Sequence, residues 1–376
     1  MIRKFSVKNF ANFKDTLTVD LTHVHDYKYN EDCVKNGLVN KVIIYGKNSA
    51  GKTNLGMAVC DIAVSIFSSP SAERKLFKNA DTENGELMEF SYSFLLDGDT
   101  VDYSYKKADP STIVFERFSV NNELIFEYDL QEGYYDFSNV SRINAEKLDW
   151  QEFKRVIAPK KNILAEAIEQ PSALRYIISN TIQNEDSVIY RLTRFLKGMR
   201  FSGSMPRLPV GFSQQIKKMI DNESLYLFQD FLNKHGVDCR LTMSEQTDGE
   251  KEIYFDYKKP LPFFEFMSSG TAELTHFYFS HIYNMSRNTF IYLDEFDAHY
   301  HFELSKNIVT MLERLPGCQV IMTTHNTNLL DNSIMRPDCF MVLANGKLTP
   351  LCEATTRELR QGHDLEKLYI NGEFDE

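Results

Sequence analysis

Long apolar runs are missing from this sequence: nowhere in its 376 residues is there a stretch of the ~18–20 apolar side chains that a membrane-crossing helix needs. Cysteine pairs are missing too. Cys33, Cys60, Cys239, Cys318, Cys339 and Cys352 are scattered with no C-x-x-C spacing, which excludes a disulfide framework and predicts reduced, mostly buried thiols. The opening Met1-Ile2-Arg3-Lys4-Phe5-Ser6-Val7-Lys8 lacks the apolar core of a secretory signal, so a soluble, cytoplasmic protein is expected. Positive charge is in short supply, with 42 Lys and Arg against 53 Asp and Glu, a net charge of −11. A protein that coats a duplex carries a basic face, so any nucleic-acid contact here is confined to a local patch. Internal repeats and low-complexity tracts are absent as well. What is present, 43% hydrophobic and 25% charged residues, suits a folded globular chain of two or three units, or one large domain carrying an insertion.

Periodicity organises the chain. Phe5 and Val7, then Leu17, Val19 and Leu21, alternate with polar residues and predict short strands over 2–7 and 16–21. After a polar link, Val42-Ile43-Ile44-Tyr45 suits a strand buried on both faces. A turn over 46–52 leads into helical spacing at Leu55, Val59, Ile62 and Ile66. Residues 87–130 alternate aromatic and β-branched side chains around Asp97-Gly98 and Asn121-Asn122, which predicts an antiparallel meander. Helical periodicity returns over 141–234, with Phe195, Leu196 and Met199 on one face and Leu225, Leu227, Phe228 and Phe231 on another; Gly203 to Pro209 breaks it. Strands are expected over 237–257, 289–294 and 319–324, and helices over 271–285 and 302–314. Strand–helix alternation at both ends around a different middle predicts an α/β domain split by an insertion.

Gly46-Lys47-Asn48-Ser49-Ala50-Gly51-Lys52-Thr53 fits G-x-x-x-x-G-K-[ST] in full, between a buried strand and a helix. The glycines let backbone N–H groups curve around phosphates, and the helix N-terminus adds partial positive charge. Lys52 would neutralise the β- and γ-phosphates, and the Thr53 hydroxyl would ligate Mg²⁺. The candidate nucleotide contacts are Gly46, Asn48, Ser49, Ala50, Gly51, Lys52, Thr53 and Asn54.

Phe290-Ile291-Tyr292-Leu293 is an apolar strand that ends in Asp294 and Glu295. Asp294 at the strand tip suits a Mg²⁺ contact, whereas Glu295, pointing elsewhere, suits a general base for the attacking water. Gln319 to Thr324 is a second apolar strand, ending in His325, a candidate sensor of the γ-phosphate.

Ahead of Asp294, Phe266-Met267-Ser268-Ser269-Gly270-Thr271 opens a helix with small residues, an arrangement that can hold an anion. In this position it resembles the signature motif of ABC-type ATPases. The order of phosphate loop, signature, acidic strand end and histidine is similar to the SMC, RecF and OLD group, as is the opening Phe5-Ser6-Val7-Lys8-Asn9-Phe10. The ending Leu359-Arg360-Gln361-Gly362-His363-Asp364-Leu365-Glu366-Lys367-Leu368-Tyr369 resembles the tails of small bacterial AAA-family ATPases from phage-defence and abortive-infection operons.

That resemblance implies an ABC-type P-loop NTPase domain, a mixed sheet with flanking helices, split by an inserted antiparallel and helical region. The segments would be 1–96 with the phosphate loop, 97–257 as the insertion, and 258–376 with the signature, the acidic strand end and the switch histidine. It further implies ATP and Mg²⁺ as cofactors, with Lys52 and Thr53 on phosphate and metal, Asp294 on the metal, Glu295 as catalytic base and His325 as switch. Ser268, Ser269 and Gly270 would reach the γ-phosphate held by another protomer, and Asp297 and Ala298 fall where a D-loop lies. Phe296 stands where many members have proline. One phosphate loop and one signature per chain make a C₂ homodimer the economical assembly.

Two further features carry expectations. Arg191, Arg194, Lys197 and Arg200 recur every three residues, with Arg207 beyond, and on a helix would form one basic stripe, either a nucleic-acid contact or a solvated face. His299 and His301 lack the partners of a metal site, and the aromatic strands over 90–128 read as a packed sheet rather than a base-stacking platform. No nuclease or protease constellation is visible, and the stretch after His325 is too short for the Toprim domain of OLD-type nucleases. The expected function is an ATPase that dimerises on ATP and acts as a nucleotide-driven sensor or scaffold controlling a toxin or nuclease partner in bacterial antiphage defence. The alternatives are a RecF-like DNA-repair ATPase and a nucleotide-gated scaffold with negligible turnover.

Overall fold

The computed structural model describes residues 1–67, 77–83, 85–158, 172–203, 208–245, 251–283, 285–298, 300–313, 315 and 317–374. Arg207 and His299 lie outside the described residues, as does most of the break expected between 203 and 209.

Two sheets and one helix between them make up the body of the protein. The first sheet has seven antiparallel strands in the order Tyr134–Asp136, Glu123–Asp129, Ile113–Val120, Asp99–Lys107, Met88–Leu96, Ile2–Lys8, Leu17–Asp20. Its inner face follows from period-two alternation: Met88, Phe90, Tyr92, Phe94 and Leu96 are buried along one strand, and Val101, Tyr103, Tyr105 and Lys107 along the next. The hairpins close as the turn residues predict. Asp97 and Gly98, and Asn121 and Asn122, all hold positive φ, the conformation of a two-residue primed turn.

The second sheet has six strands in the order Met199–Gly203, Phe290–Asp294, Gln319–Thr323, Lys41–Tyr45, Phe340–Ala344, Lys347–Pro350. All neighbours are parallel except the last pair. The three central strands are buried at every position, which explains why they read as continuous apolar runs. Their carboxyl ends share one edge, where an open α/β sheet binds its ligands.

Helix Lys52–Phe67 packs between the two sheets. Most of its positions are buried, and only a narrow stripe through Thr53, Val64 and Phe67 is exposed. Gly56 is required there, since an added Cβ would sit 2.4 Å from the Tyr292 ring of the parallel sheet. On the opposite side Tyr92 donates its hydroxyl to the Ala58 carbonyl at 2.9 Å. Lys107 Nζ meets Asp61 Oδ2 at 2.6 Å with both side chains fully buried. Tyr105 also donates to Asp61, at 2.7 Å. Gln319 joins the sheets a second time: its Oε1 accepts the Ile2 N–H at 2.8 Å, and its Nε2 donates to Ile2 O at 3.0 Å and Val39 O at 3.2 Å.

Strand pairing crosses the segment boundaries expected from the sequence. Strand Asp99–Lys107 pairs with Met88–Leu96, and that strand pairs with Ile2–Lys8, so the meander continues the N-terminal hairpin. Met199–Gly203 lies deep in the middle segment yet pairs in parallel with Phe290–Asp294.

That strand also corrects the basic stripe. The helix runs only from Val188 to Lys197, where Gly198 ends it. Gly198 is fixed by close approach: a Cβ there would lie 2.5 Å from the Thr289 hydroxyl and 2.6 Å from the Arg287 carbonyl. Met199 and Arg200 are therefore strand residues, and Arg200 turns its guanidinium onto the carbonyls of Lys197 and Met199. Arg191 is half-buried and ion-paired with Asp99, with a further bond to Leu96 O. Arg194 and Lys197 alone are exposed, and Lys197 sits over the Phe67 ring. A second correction concerns helix Asn222–Lys234, which buries Leu225, Phe228, Phe231 and Leu232 but leaves Leu227 exposed. The aromatic strands do pack as a sheet, with Tyr92, Phe94, Tyr103, Tyr105, Phe118, Phe126 and Tyr128 all buried. All six cysteines are free, and Cys352 is the one not fully buried. Among the described residues no helix is long and apolar enough to cross a membrane.

Candidate functional site

The site assembles at the carboxyl edge of the parallel sheet. Strand Lys41–Tyr45 delivers Gly46, whose missing Cβ admits the Leu343 carbonyl, 2.6 Å from where that atom would be. The loop then turns through Ser49 at φ +65° and Gly51 at φ +104°. Gly51 is doubly constrained, because a Cβ would also stand 2.5 Å from the Asn12 amide. These constraints curve the backbone before Lys52, the first residue of the sandwiched helix, so the loop opens onto a helix N-terminus. Lys47, Asn48 and Ser49 are exposed, and Ala50, Gly51 and Asn54 partly so.

The Lys52 ammonium donates to the carbonyls of Gly46 at 2.8 Å and Lys47 at 3.3 Å, and stands 2.9 Å from His325 Nε2. Burial lowers the Lys52 pKa from its usual value, with the charges of Glu295 and Asp294 opposing the shift. Thr53 donates its hydroxyl to Asp294 Oδ2 at 2.5 Å. Asp294 is buried at the end of its strand, and its Oδ1 accepts the Thr323 hydroxyl at 2.8 Å. Glu295 follows in a left-handed turn at φ +47°, its side chain half exposed and its Oε1 4.0 Å from His325 Nε2. Lys52, Thr53, Asp294, Glu295 and His325, far apart in sequence, thus form one cluster.

A hydroxyl and a carboxylate oxygen in direct contact are hard donors of the kind Mg²⁺ takes alongside phosphate oxygens. Thr53 and Asp294 therefore fit that ion. Among the described residues no group of three or more His, Cys, Asp or Glu side chains has the arrangement of an all-protein metal cage.

The signature residues stand apart. Ser268 caps helix Ser269–Phe277, its Oγ accepting the Thr271 N–H at 3.1 Å, and both Ser268 and Ser269 are exposed. Among the described residues no hydrogen bond joins Ser268, Ser269 or Gly270 to the phosphate loop. Phe296 is buried and hydrogen-bonds Thr323 O through its N–H, so the position that is often proline uses its backbone donor here. Asp297 is half-buried, accepts the Thr324 hydroxyl at 2.7 and 2.8 Å, and has its pKa raised by desolvation against those bonds.

Three residues in the cluster had no sequence signal strong enough to assign. Asn12 donates to Ala50 O at 3.0 Å and accepts from Asn54 at 2.8 Å, clasping the loop to its helix. Tyr292 donates its hydroxyl to Lys52 O at 2.5 Å. Thr323 joins two neighbouring acidic positions, and its place just before Thr324-His325 was the available hint. The tail also packs nearby: Thr327 donates to Glu366 at 2.7 Å, and the Tyr369 ring lies 5.7 Å from that of Tyr45.

The fold and the cluster define a P-loop ATPase domain of mixed α/β architecture, with an antiparallel sheet packed on the phosphate-loop helix. The family model described as "AAA domain, putative AbiEii toxin, Type IV TA system" matches residues 41–331, and the chain belongs to that family. No curated protein matches the chain. Among solved structures it is similar to an SMC head bound to the C-terminal winged-helix domain of ScpA, at 16% identity and TM-score 0.47, covering 93% of this chain and 96% of that one. The SMC head domain from Thermotoga maritima gives 13% identity and TM-score 0.41 over 93% and 98% of the two chains. An Smc head with extended coiled coil bound to the C-terminal domain of ScpA, from Pyrococcus furiosus, gives 15% identity and TM-score 0.44 over 93% and 95%.

Proposed function

We propose that the protein hydrolyses ATP with Mg²⁺ in a head-to-head homodimer, and that this cycle drives a separate effector in antiphage defence. The observation that carries the reading is the split of the expected nucleotide contacts between two separate places. The phosphate loop, Asp294, Glu295 and His325 cluster at one place, while the capped, exposed N-terminus at Ser268–Gly270 makes no hydrogen bond to them. Two chains related by a two-fold axis would bring each signature to the other's phosphate loop, giving two composite sites.

Within each site, the loop N–H groups and Lys52 would hold the β- and γ-phosphates. Thr53 and Asp294 would hold Mg²⁺, which supplies charge neutralisation on the phosphate oxygens. Glu295, half exposed beside the cluster, would take the proton from the attacking water. His325 Nε2 lies within reach of both Lys52 and Glu295, which suits a sensor of the transferred phosphoryl group. The family description names toxins, and this supports a defence role for the chain; the identity of the effector rests on the neighbouring gene. The loss of the four-residue basic stripe weakens the DNA-repair alternative.

The decisive variant is Glu295→Gln. It is expected to bind ATP, lose at least tenfold in phosphate release, and shift to a dimer by light scattering when ATP is added. Turnover at the wild-type rate would remove Glu295 as base, and a monomer at saturating ATP would remove the composite site.

A further inference from the structure

We infer that Thr323 is a positioning residue that sets the geometry of both acidic groups at once. This rests on the reading of Asp294 and Glu295 given above. Strand Gln319–Thr323 runs parallel to Phe290–Asp294, with Leu293 in register with Met322, so Thr323 reaches the end of the acidic strand from the side. Its side chain is fully buried. The single hydroxyl makes two bonds of opposite sense: Oγ1 donates to Asp294 Oδ1 at 2.8 Å and accepts the Glu295 N–H at 2.8 Å.

Each bond answers a distinct need. Asp294 has two carboxylate oxygens, and Thr53 occupies Oδ2 at 2.5 Å. Holding Oδ1 fixes the rotation of the carboxylate, so that Oδ2 stays on the Thr53 side, where a metal ion would be shared. Glu295 occupies φ +47°, a conformation that costs a non-glycine residue and persists only where surroundings enforce it. The bond to its N–H supplies that enforcement, and the turn carries the Glu295 side chain out toward His325 instead of along the strand. Phe296 N–H donates to Thr323 O at 3.3 Å, so the same residue pins the backbone on both sides of Glu295.

Thr324 has the complementary task. Its hydroxyl donates to Asp297 and accepts the Asn326 N–H at 2.9 Å, which brackets His325 from the other side. Successive strand residues face opposite ways. Two adjacent threonines can therefore serve two different segments, and neither hydroxyl can substitute for the other.

The test uses the full chain with Thr323→Val, which keeps the shape and removes both bonds, and Thr323→Ser, which keeps the hydroxyl. Val is expected to lower kcat by about ten- to a hundredfold, part of the roughly hundred- to ten-thousandfold that a positioned general base supplies, with the KM for ATP within threefold of wild type. Ser is expected to restore most of the loss. In the Glu295→Gln background Thr323→Val is expected to add less than its full loss, since only the part that acts through Asp294 remains. Melting temperatures give a readout apart from turnover: Thr323→Val and Asp294→Asn are expected to be non-additive in a double-mutant cycle. Thr323→Cys carries the same comparison if the Val variant does not fold. Turnover of the Val variant within threefold of wild type, or additive melting shifts, would overturn the inference. If Glu295→Gln itself turns over normally, the base assignment fails instead, whatever Thr323 does.

Discussion

Lys107→Met isolates the interaction that ties the phosphate-loop helix to the antiparallel sheet. Lys107 Nζ lies 2.6 Å from Asp61 Oδ2 and 2.7 Å from Ser65 Oγ, and the ion pair is fully buried. Methionine fills similar volume but leaves the Asp61 carboxylate uncompensated in the interior. Breaking a buried pair from one side costs about 3–5 kcal/mol. Tyr105 at 2.7 Å and Ser65 at 3.1 Å still donate to the carboxylate, which favours the lower end of that range. For a chain of this size the unfolding entropy is about 0.8 kcal/mol/K, so a loss of about 3 kcal/mol lowers the melting temperature by about 4 °C. Adding Asp61→Asn removes the stranded charge while keeping an acceptor for Tyr105, and most of the loss is expected to return. Differential scanning fluorimetry of the two single variants and the double variant reads this directly. A Lys107→Met protein melting within 1 °C of wild type, or a double variant no more stable than Lys107→Met alone, would refute the reasoning.

Two further predictions follow from close packing and from burial. Gly56→Ala, a change that ordinarily stabilises a helix interior by about 1 kcal/mol, is expected to destabilise here by about 1–3 kcal/mol, because the new methyl meets the Tyr292 ring; chemical denaturation measures the sign. His281 is fully buried, and desolvation, followed by the charges of His276 and Arg200, brings its pKa down to about 3. The unfolded chain, with a histidine pKa near 6.5, binds the extra proton first, so this stability is present above pH 6.5 and is lost as the pH falls toward 3. The loss amounts to about 2 kcal/mol at pH 5. His281→Phe is expected to flatten the fall in melting temperature between pH 7 and 5, and an unchanged slope would count against it.

The phosphate loop was legible because its chemistry is local: Gly46, Gly51, Lys52 and Thr53 are specified by turn geometry and charge within a few residues. The meander was legible for a related reason, since Asp97-Gly98 and Asn121-Asn122 announce primed turns between alternating strands. Strand Met199–Gly203 was not, because nothing adjacent in sequence distinguishes it from a continuing helix. Its partner is Phe290–Asp294, far along the chain, and Gly198 ends the helix because of a contact with Thr289. Arg191 was misread for the same reason: its counter-ion, Asp99, lies on a distant hairpin. Thr323 carries no signal of its own as a threonine on an apolar strand, and its importance arises only when the neighbouring strand brings Asp294 and Glu295 beside it.

Helix Lys52–Phe67 has a sheet on each side and only a narrow exposed stripe between them. A displacement started at Lys52 by a bound phosphate would meet the antiparallel sheet further along the helix. There Ala58, Asp61 and Ser65 are bonded to the hydroxyl of Tyr92 and the ammonium of Lys107. If the helix shifts when a phosphate binds, the antiparallel sheet becomes a dial for the occupancy of the loop. A partner protein seated on its outer strands could read that dial without ever touching the nucleotide.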